Sequence, residues 1–165
     1  MSPKIVIVAA HGRNREIGKD NKLPWSIPAE MKHFRRTTLG RTLLMGRKTA
    51  ESLGGALKQR TNLVLTRSNT VPYEGMIPVA SLKEALEHAA KDNSDLLIIG
   101  GEEVYRQFVD QADTLIISYV SVDVPDADAF FPEIDDALFV QTSAVPHLSD
   151  NEAPDFAVWT FERRN

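Results

Sequence analysis

Short, near-continuously apolar runs rich in β-branched residues recur along the chain, and they limit the fold more than any other feature. Residues 5–10 (IVIVAA), 42–45, 62–66, 96–99 (LLII), 114–122 and 157–162 are each of strand length. A strand with one wet face alternates apolar and polar residues, whereas one that is apolar throughout must be covered on both faces. Helical patterns lie between these runs. Residues 28–39 open with Pro28 at a first-turn position, where its missing N–H is not needed. Ser81-Leu82-Lys83-Glu84 reads as a capping box leading into an Ala- and Leu-rich segment that ends near Asp92-Asn93. A third pattern, 102–109, follows the Gly100-Gly101 pair. This alternation predicts an α/β sandwich, with a mainly parallel sheet between helical layers. In the C-terminal third the helical signals stop, and a strand–loop–strand pattern predicts an antiparallel edge.

The chain of 165 residues is long enough for one substantial core, and with no repeat or long linker a single domain over 1–165 is expected. No apolar run approaches the roughly 20 residues that span a bilayer. The absence of Cys excludes disulfides, thiolate nucleophiles and Cys-ligated metals. A cytoplasmic location is the expectation. A net charge of −4 points away from nucleic acid, so an anionic ligand needs a local cluster of Arg and Lys. The four histidines, His11, His33, His88 and His147, lack metal-ligand spacing, and no metal is expected.

Several segments have the residue types that chemistry requires. In the helix that opens at Pro28, an apolar stripe runs through Ile27, Met31, Phe34 and Thr38, and Glu30 borders it. Two readings of Glu30 stand open: a solvated first-turn acid stabilised by the helix dipole, or a desolvated carboxyl with a raised pKa. Two strand-to-helix turns, Gly46-Arg47-Lys48-Thr49 and Gly100-Gly101-Glu102, place glycine ahead of free backbone N–H groups that suit a phosphate. Thr66-Arg67-Ser68 ends another strand in a cation and two hydroxyls, and Arg67 with Arg47 makes a potential two-arginine clamp. The polar loop 11–24, followed by Pro24-Trp25-Ser26-Ile27-Pro28, suggests a lid next to a rigid aromatic wall.

Taken in order, these segments resemble the dihydrofolate reductase family. The run Ile17-Gly18-Lys19-Asp20-Asn21-Lys22-Leu23-Pro24-Trp25 is similar to the family signature and precedes a helix with an acid at the family's position. Met45-Gly46-Arg47-Lys48-Thr49, Glu51-Ser52-Leu53, Arg60-Thr61-Asn62, Ile99-Gly100-Gly101, Val104-Tyr105-Arg106-Gln107-Phe108 and Asp128 ahead of Phe131-Pro132 follow in the family's order. The resemblance spans essentially the whole chain. It implies a three-layer sandwich around an eight-stranded, mostly parallel sheet with an antiparallel C-terminal strand. It also implies reduction of dihydrofolate by NADPH, with hydride passing to C6 of the pterin and a proton to N5, in a monomer that engages neither nucleic acid nor membrane.

The resemblance assigns roles residue by residue. Glu30 is the buried catalytic carboxylate, with Leu23 and Trp25 on the lid. Val8, Ala9, Glu30, Met31, Phe34, Leu53, Leu57 and Ser118 match pterin and aminobenzoyl contacts, Arg60 the grip on the substrate α-carboxylate, and Arg35 the pocket mouth. Arg47, Thr66, Arg67 and Ser68 match the surroundings of the adenosine 2′-phosphate. Lys48, Thr49 and the 101–104 turn, including Gly101, Glu102 and Val104, match the pyrophosphate cradle, and Ala10 and Ile17 the nicotinamide surroundings. Gly18, Gly46, Ile99, Gly100 and Tyr105 complete the coenzyme set, with Gly100-Gly101 expected as a cis bond.

Some positions depart from the family pattern. Glu30 stands where many bacterial members have Asp, Leu23 for a frequent Met, Ser118 for a frequent Thr, and His33 for a frequent aromatic. Glu102 replaces a third glycine and puts an acid near the pyrophosphate, to be tolerated only if its side chain turns away. Two rivals share parts of this pattern: a pyrimidine reductase of riboflavin synthesis, and a catalytically silent folate- or NADPH-binding protein. Pro24-Trp25 with Glu30 speaks against the first, and intact Glu30, Trp25 and Gly100-Gly101 against the second.

Overall fold

The computed structural model describes residues 2–20, 22–149 and 153–165. In chain order the main elements are β1 (Ile5–His11), β2 (Glu16–Gly18), α1 (Pro28–Thr38), β3 (Thr42–Gly46), α2 (Arg47–Leu53), β4 (Thr61–Leu65) and β5 (Met76–Val79). They continue with α3 (Leu82–Lys91), β6 (Leu96–Ile98), α4 (Glu102–Phe108), β7 (Thr114–Val120), β8 (Ala129–Phe130), β9 (Phe139–His147) and β10 (Phe156–Arg163). Eight strands form one sheet in the order β5-β4-β3-β6-β1-β7-β10-β9. Pairing from β5 to β7 is parallel, and β10 runs antiparallel to both of its neighbours. The layered, mostly parallel architecture matches the expectation.

The apolar runs are continuous because alternate residues enter two different cores. Ile7, Ala9, Leu44, Leu63, Leu96 and Ile98 face one core, closed by Ala85 and Ala89 of α3 and by Val104, Tyr105 and Phe108 of α4. Val6, Val8, Leu43, Met45, Val64, Leu97 and Ile99 face the other, with Ala50 and Leu53 of α2 and Phe34 of α1 against it. A one-residue slip of any central strand would exchange its two faces, so both cores together hold the register. Helix boundaries follow local chemistry. Ser81 Oγ accepts from Glu84 N at 3.2 Å, and Glu84 Oε2 accepts from Ala80 N at 2.9 Å, a reciprocal cap displaced by one residue from the usual box.

Two expectations needed correction. Strands β5 and β9 are absent from the apolar pattern because both lie at sheet edges. After Phe139, β9 is exposed as far as Pro146, and each edge strand carries a proline (Pro78 and Pro146) that a central strand would not tolerate. The segment 11–24 is also more than a loop. His11 closes β1 and is buried among Tyr119, Phe131 and Trp159, and its pKa is lowered mainly by that burial. Residues Glu16–Gly18 pair antiparallel with β8. Asn21 of the signature run lies outside the described residues.

A buried carboxylate holds this small sheet to the body. Glu16 accepts from Val124 N and Asn14 N, each at 2.7 Å. Gly12 passes so close that a Cβ there would sit 2.6 Å from Glu16 Oε1 and 2.8 Å from Val122 O. Burial pushes the Glu16 pKa up, but the amide hydrogen bonds outweigh it and the net shift is downward. A depressed carboxylate stabilises the fold above its unfolded pKa and loses that contribution as pH falls. Glu16→Gln should therefore cost about 1–3 kcal/mol of unfolding free energy at neutral pH. The difference should shrink in acid, as read by denaturant melts across pH. Equal stability of the two proteins at neutral pH would contradict this role.

Candidate active site

A cleft of about 1560 Å³ opens at the carboxyl ends of the parallel strands, where open α/β sheets bind ligands. Val8, Ala9 and Ala10 of β1, Gly46 at the end of β3, Leu65 of β4 and Thr66 after it, Ile99 and Gly100 after β6, and Ser118 of β7 form its floor. Helix α1 contributes Glu30, Met31 and Phe34, and the β2–β8 region contributes Ile17, Gly18, Asp128 and Ala129.

Glu30 is delivered to the floor by the residues on either side of it. Ile27 before α1 is buried against Val120 and Phe156, and Thr38 at the other end is fully buried. With both ends of the helix anchored, Glu30 lies over the sheet at only 8% exposure, and Ser118 Oγ donates to its Oε2 at 3.3 Å. Desolvation pushes its pKa from the ordinary 4.5 up to about 7, against the opposing hydrogen bond from Ser118. That shift corresponds to roughly 3 kcal/mol against the charged form. A helix N-terminus favours a carboxylate by only about 0.3–1 kcal/mol, so burial prevails. Of the two readings of Glu30, the structure selects the desolvated one.

Tyr105 is the second buried ionisable group lining this cleft, so Glu30 is not alone. Its hydroxyl donates to Val8 O at 2.8 Å, and burial, with the charge of Glu30 beside it, raises its pKa. A phenol held protonated and committed to a carbonyl has no proton to exchange, which leaves Glu30 as the titrating group at this end.

At the other end, the β3–α2 and β6–α4 turns lie side by side. Gly46 N donates to Gly100 O at 2.8 Å, and the Gly100-Gly101 peptide is cis. A Cβ on Gly46 would meet Val104 at 3.0 Å, and one on Gly101 would meet Thr49 Oγ1 at 3.1 Å. Lys48 and Thr49 line the cleft here, as do Arg47 and Arg67 beyond them. Backbone N–H groups of the two glycine turns, Lys48 and Thr49 on one of them, and two guanidinium groups form a donor-rich trough that suits a phosphorylated coenzyme.

Glu102 lines the cleft beside this trough, but one of its carboxylate oxygens is engaged elsewhere. Its Oε2 accepts from Phe130 N at 2.7 Å and meets Arg106 Nη2 at 3.4 Å. The acid therefore fastens β8 to the start of α4. Strand β8 in turn holds β2, and Asp128 next to it accepts from Asp20 N at 2.9 Å and donates its own N–H to Gly18 O. This chain of contacts was not visible in the sequence.

Other expected site residues fall in three groups. Leu53, Leu57 and Leu23 line the cleft, Leu23 with 57% exposure. Met31, placed on the buried stripe by its spacing, is 61% exposed and sits at the cleft mouth instead. Trp25, Arg35, Arg60 and Ser68 are outside the lining. Trp25 is not a cleft wall: it packs against the Ile27–Val120–Phe156 cluster, where its indole N–H is buried with no partner among the described residues. Arg60 is held by Thr38 Oγ1 at 3.0 Å and Lys58 O at 2.9 Å, and its pKa is lowered by burial and by Arg35 nearby.

A family model described as dihydrofolate reductase matches residues 4–163. The chain belongs to the dihydrofolate reductase family. The matched family is thus not the pyrimidine reductase family considered as a rival. The chain is 33% identical over 162 residues to the dihydrofolate reductase of Bacillus subtilis, covering 98% of this chain and 95% of that protein. It is 38% identical over 128 residues to that of Haemophilus influenzae, with 78% of each covered. A solved dihydrofolate reductase from Enterococcus faecalis, complexed with NADP(H) and RAB-propyl, superimposes with a TM-score of 0.88 at 30% identity, covering 98% of this chain and 97% of that one. Glu102 is the point at which this member's own construction can be tested. Glu102→Ala should cost about 1–3 kcal/mol and expose the Phe130 amide to hydrogen exchange, while Glu102→Gln keeps the acceptor and the protection. An unchanged Phe130 protection factor in Glu102→Ala would contradict the tether.

Proposed function

We propose that the cleft reduces 7,8-dihydrofolate to 5,6,7,8-tetrahydrofolate with NADPH, and that Glu30 is the group that makes the pterin end reactive. The observation that carries this reading is a carboxyl buried at the substrate end of a cleft whose other end is donor-rich. A pterin amidine edge presents two N–H donors, from N3 and the 2-amino group, and a desolvated carboxylate complements both. Val8, Ala9, Phe34, Leu53 and Leu57 supply apolar walls for the ring and the aminobenzoyl group. Arg60, with Arg35 close by, takes the α-carboxylate at the mouth.

The trough fits NADPH on its own features: closely packed glycines, hydroxyl-bearing turns and the Arg47–Arg67 pair. Lys48, Thr49 and the 101–104 turn hold the pyrophosphate, and Arg47, Thr66, Arg67 and Ser68 surround the 2′-phosphate. Ala10 and Ile17 flank the nicotinamide. When bound, NADPH supplies the hydride that C6 of the pterin accepts.

The chain's own residues manage the proton. Hydride acceptance at C6 requires a proton on N5, and N5 is weakly basic in water. Glu30 orients the ring and favours a cationic N5 electrostatically, while a water molecule delivers the proton. Leu23 and the β2 segment cover the cleft and limit the access of bulk water. A cytoplasmic setting and a monomer acting alone belong to the same reading.

Adding dihydrofolate to protein and NADPH should bleach the NADPH absorbance band. Glu30→Gln should cut turnover roughly 10²–10⁴-fold at neutral pH. The deficit should narrow in acid, where solvent protonates more of N5. Near-normal turnover of Glu30→Gln at neutral pH would remove Glu30 from the mechanism, and no bleaching by the unaltered protein would remove the reaction itself.

A further inference from the structure

The loop that follows β4 contains a chain of hydroxyls, and its far end lies outside the resemblance on which the coenzyme residues were assigned. Thr66, Arg67, Ser68, Asn69 and Thr70 fold back on themselves, with Asn69 in the left-handed region at φ 57°. Thr66 Oγ1 accepts from Ser68 N at 3.2 Å and lies 3.0 Å from Ser68 Oγ. Ser68 Oγ lies 2.7 Å from Thr70 Oγ1. From the start of α2, Arg47 Nη1 reaches across and donates to both Thr70 Oγ1 and Thr70 O, each at 3.3 Å.

From this geometry we infer that Thr70 is a positioning residue for coenzyme specificity, holding the Arg47 guanidinium where it meets a phosphate monoester. The inference rests on the reading above that Arg47 and Arg67 take the 2′-phosphate. An arginine on an open surface samples many rotamers, and two acceptors from one residue restrict the fork to a narrow set before ligand arrives.

Counting protons shows what the loop offers outward. Three hydroxyls carry three protons, and the two O···O links use two of them. Whichever way the two links are polarised, one of the three hydroxyls retains an O–H to donate. Arg47 has further N–H groups on Nε and Nη2 beyond the Nη1 spent on Thr70, and Arg67 adds its own fork. Among the described residues no carboxylate comes within salt-bridge distance of either arginine. An array of donors complements a dianionic phosphate, which only accepts. It offers much less to a ribose 2′-hydroxyl, which coenzyme sites for the unphosphorylated dinucleotide bind with an acidic side chain. Thr70 thus acts on the choice between NADPH and NADH without contacting the reacting atoms.

The test compares Thr70→Val, which removes the hydroxyl but keeps the β-branch, with Thr70→Ser and Arg47→Gln in the full-length protein. Binding of NADPH, NADH, 2′,5′-ADP and 5′-AMP is measured by calorimetry, and KM and kcat are measured with dihydrofolate. Thr70→Val should weaken NADPH and 2′,5′-ADP by about five- to tenfold, the scale of one lost hydrogen bond to a charged group. Binding of NADH and 5′-AMP should be spared, the loss should fall on KM for NADPH rather than on kcat, and Thr70→Ser should restore it. Arg47→Gln should lower the preference for NADPH further. If Arg47→Gln leaves that preference intact, the phosphate assignment fails, and the role of Thr70 with it. If Arg47→Gln abolishes the preference but Thr70→Val weakens both coenzymes alike, weakens neither, or tightens NADPH by releasing Arg47, Thr70 is not a specificity residue.

Discussion

The burial of one carboxyl group governs how this cleft works. Glu30 stands in the first turn of α1, where a carboxylate would ordinarily be charged and wet, and the fold removes its water. Three features bring this about: Ile27 pinned against Val120 and Phe156, Thr38 buried at the far end of the helix, and the apolar floor of β1 beneath. Ser118, opposite Ala10 in the β1–β7 register, supplies the hydrogen bond that keeps the charged form accessible. The result is a group near the midpoint of its titration at neutral pH, able to anchor cationic or N–H-rich edges and to respond to the protonation of what it holds.

Two buried glutamates in one chain take opposite shifts, and the difference lies in their hydrogen bonds. Glu16 and Glu30 are both almost free of solvent. Glu16 receives two backbone amides at 2.7 Å, enough to outweigh desolvation, so it stays charged and serves as a strut under β2. Glu30 receives one longer hydroxyl bond, and desolvation prevails. The same physics bears on Glu102 next to the phosphate trough: its Oε2 accepts from an amide and meets an arginine, which offsets part of its charge at the cleft wall.

The central sheet was legible because two-sided burial leaves a two-sided apolar signature at 5–10, 42–45 and 96–99. Edge strands leave no such trace, which is why β5 and the polar, exposed β9 were hidden until the structure placed them. In the site, spacing put Glu30 beside the apolar stripe and located both glycine turns, because those features are local. It misassigned Met31, since a helical stripe does not say where the protein ends and a cleft begins. It also gave no sign of the strut at Glu16, of the partner that Glu102 takes, or of the grip of Thr70 on Arg47, contacts between residues 23 to 108 positions apart or made to backbone amides. Trp25 moved for a similar reason: it packs against Val120 and Phe156, which lie far along the chain.

The proposed role of Glu30 depends on its ionisation in the folded protein. A carboxyl raised from 4.5 to about 7 keeps its proton over a range in which the unfolded chain has lost it. The associated stability is present in full below pH 4.5 and is lost as pH rises through about 7. Carboxyl-labelled glutamate followed by ¹³C NMR across pH reads this directly, with Glu30→Gln identifying the resonance. A resonance that titrates near 7 and vanishes in the variant is the expected result. Titration of that resonance at the ordinary 4.5 would show a solvated acid at the cleft mouth, and the proposed role for Glu30 would be wrong.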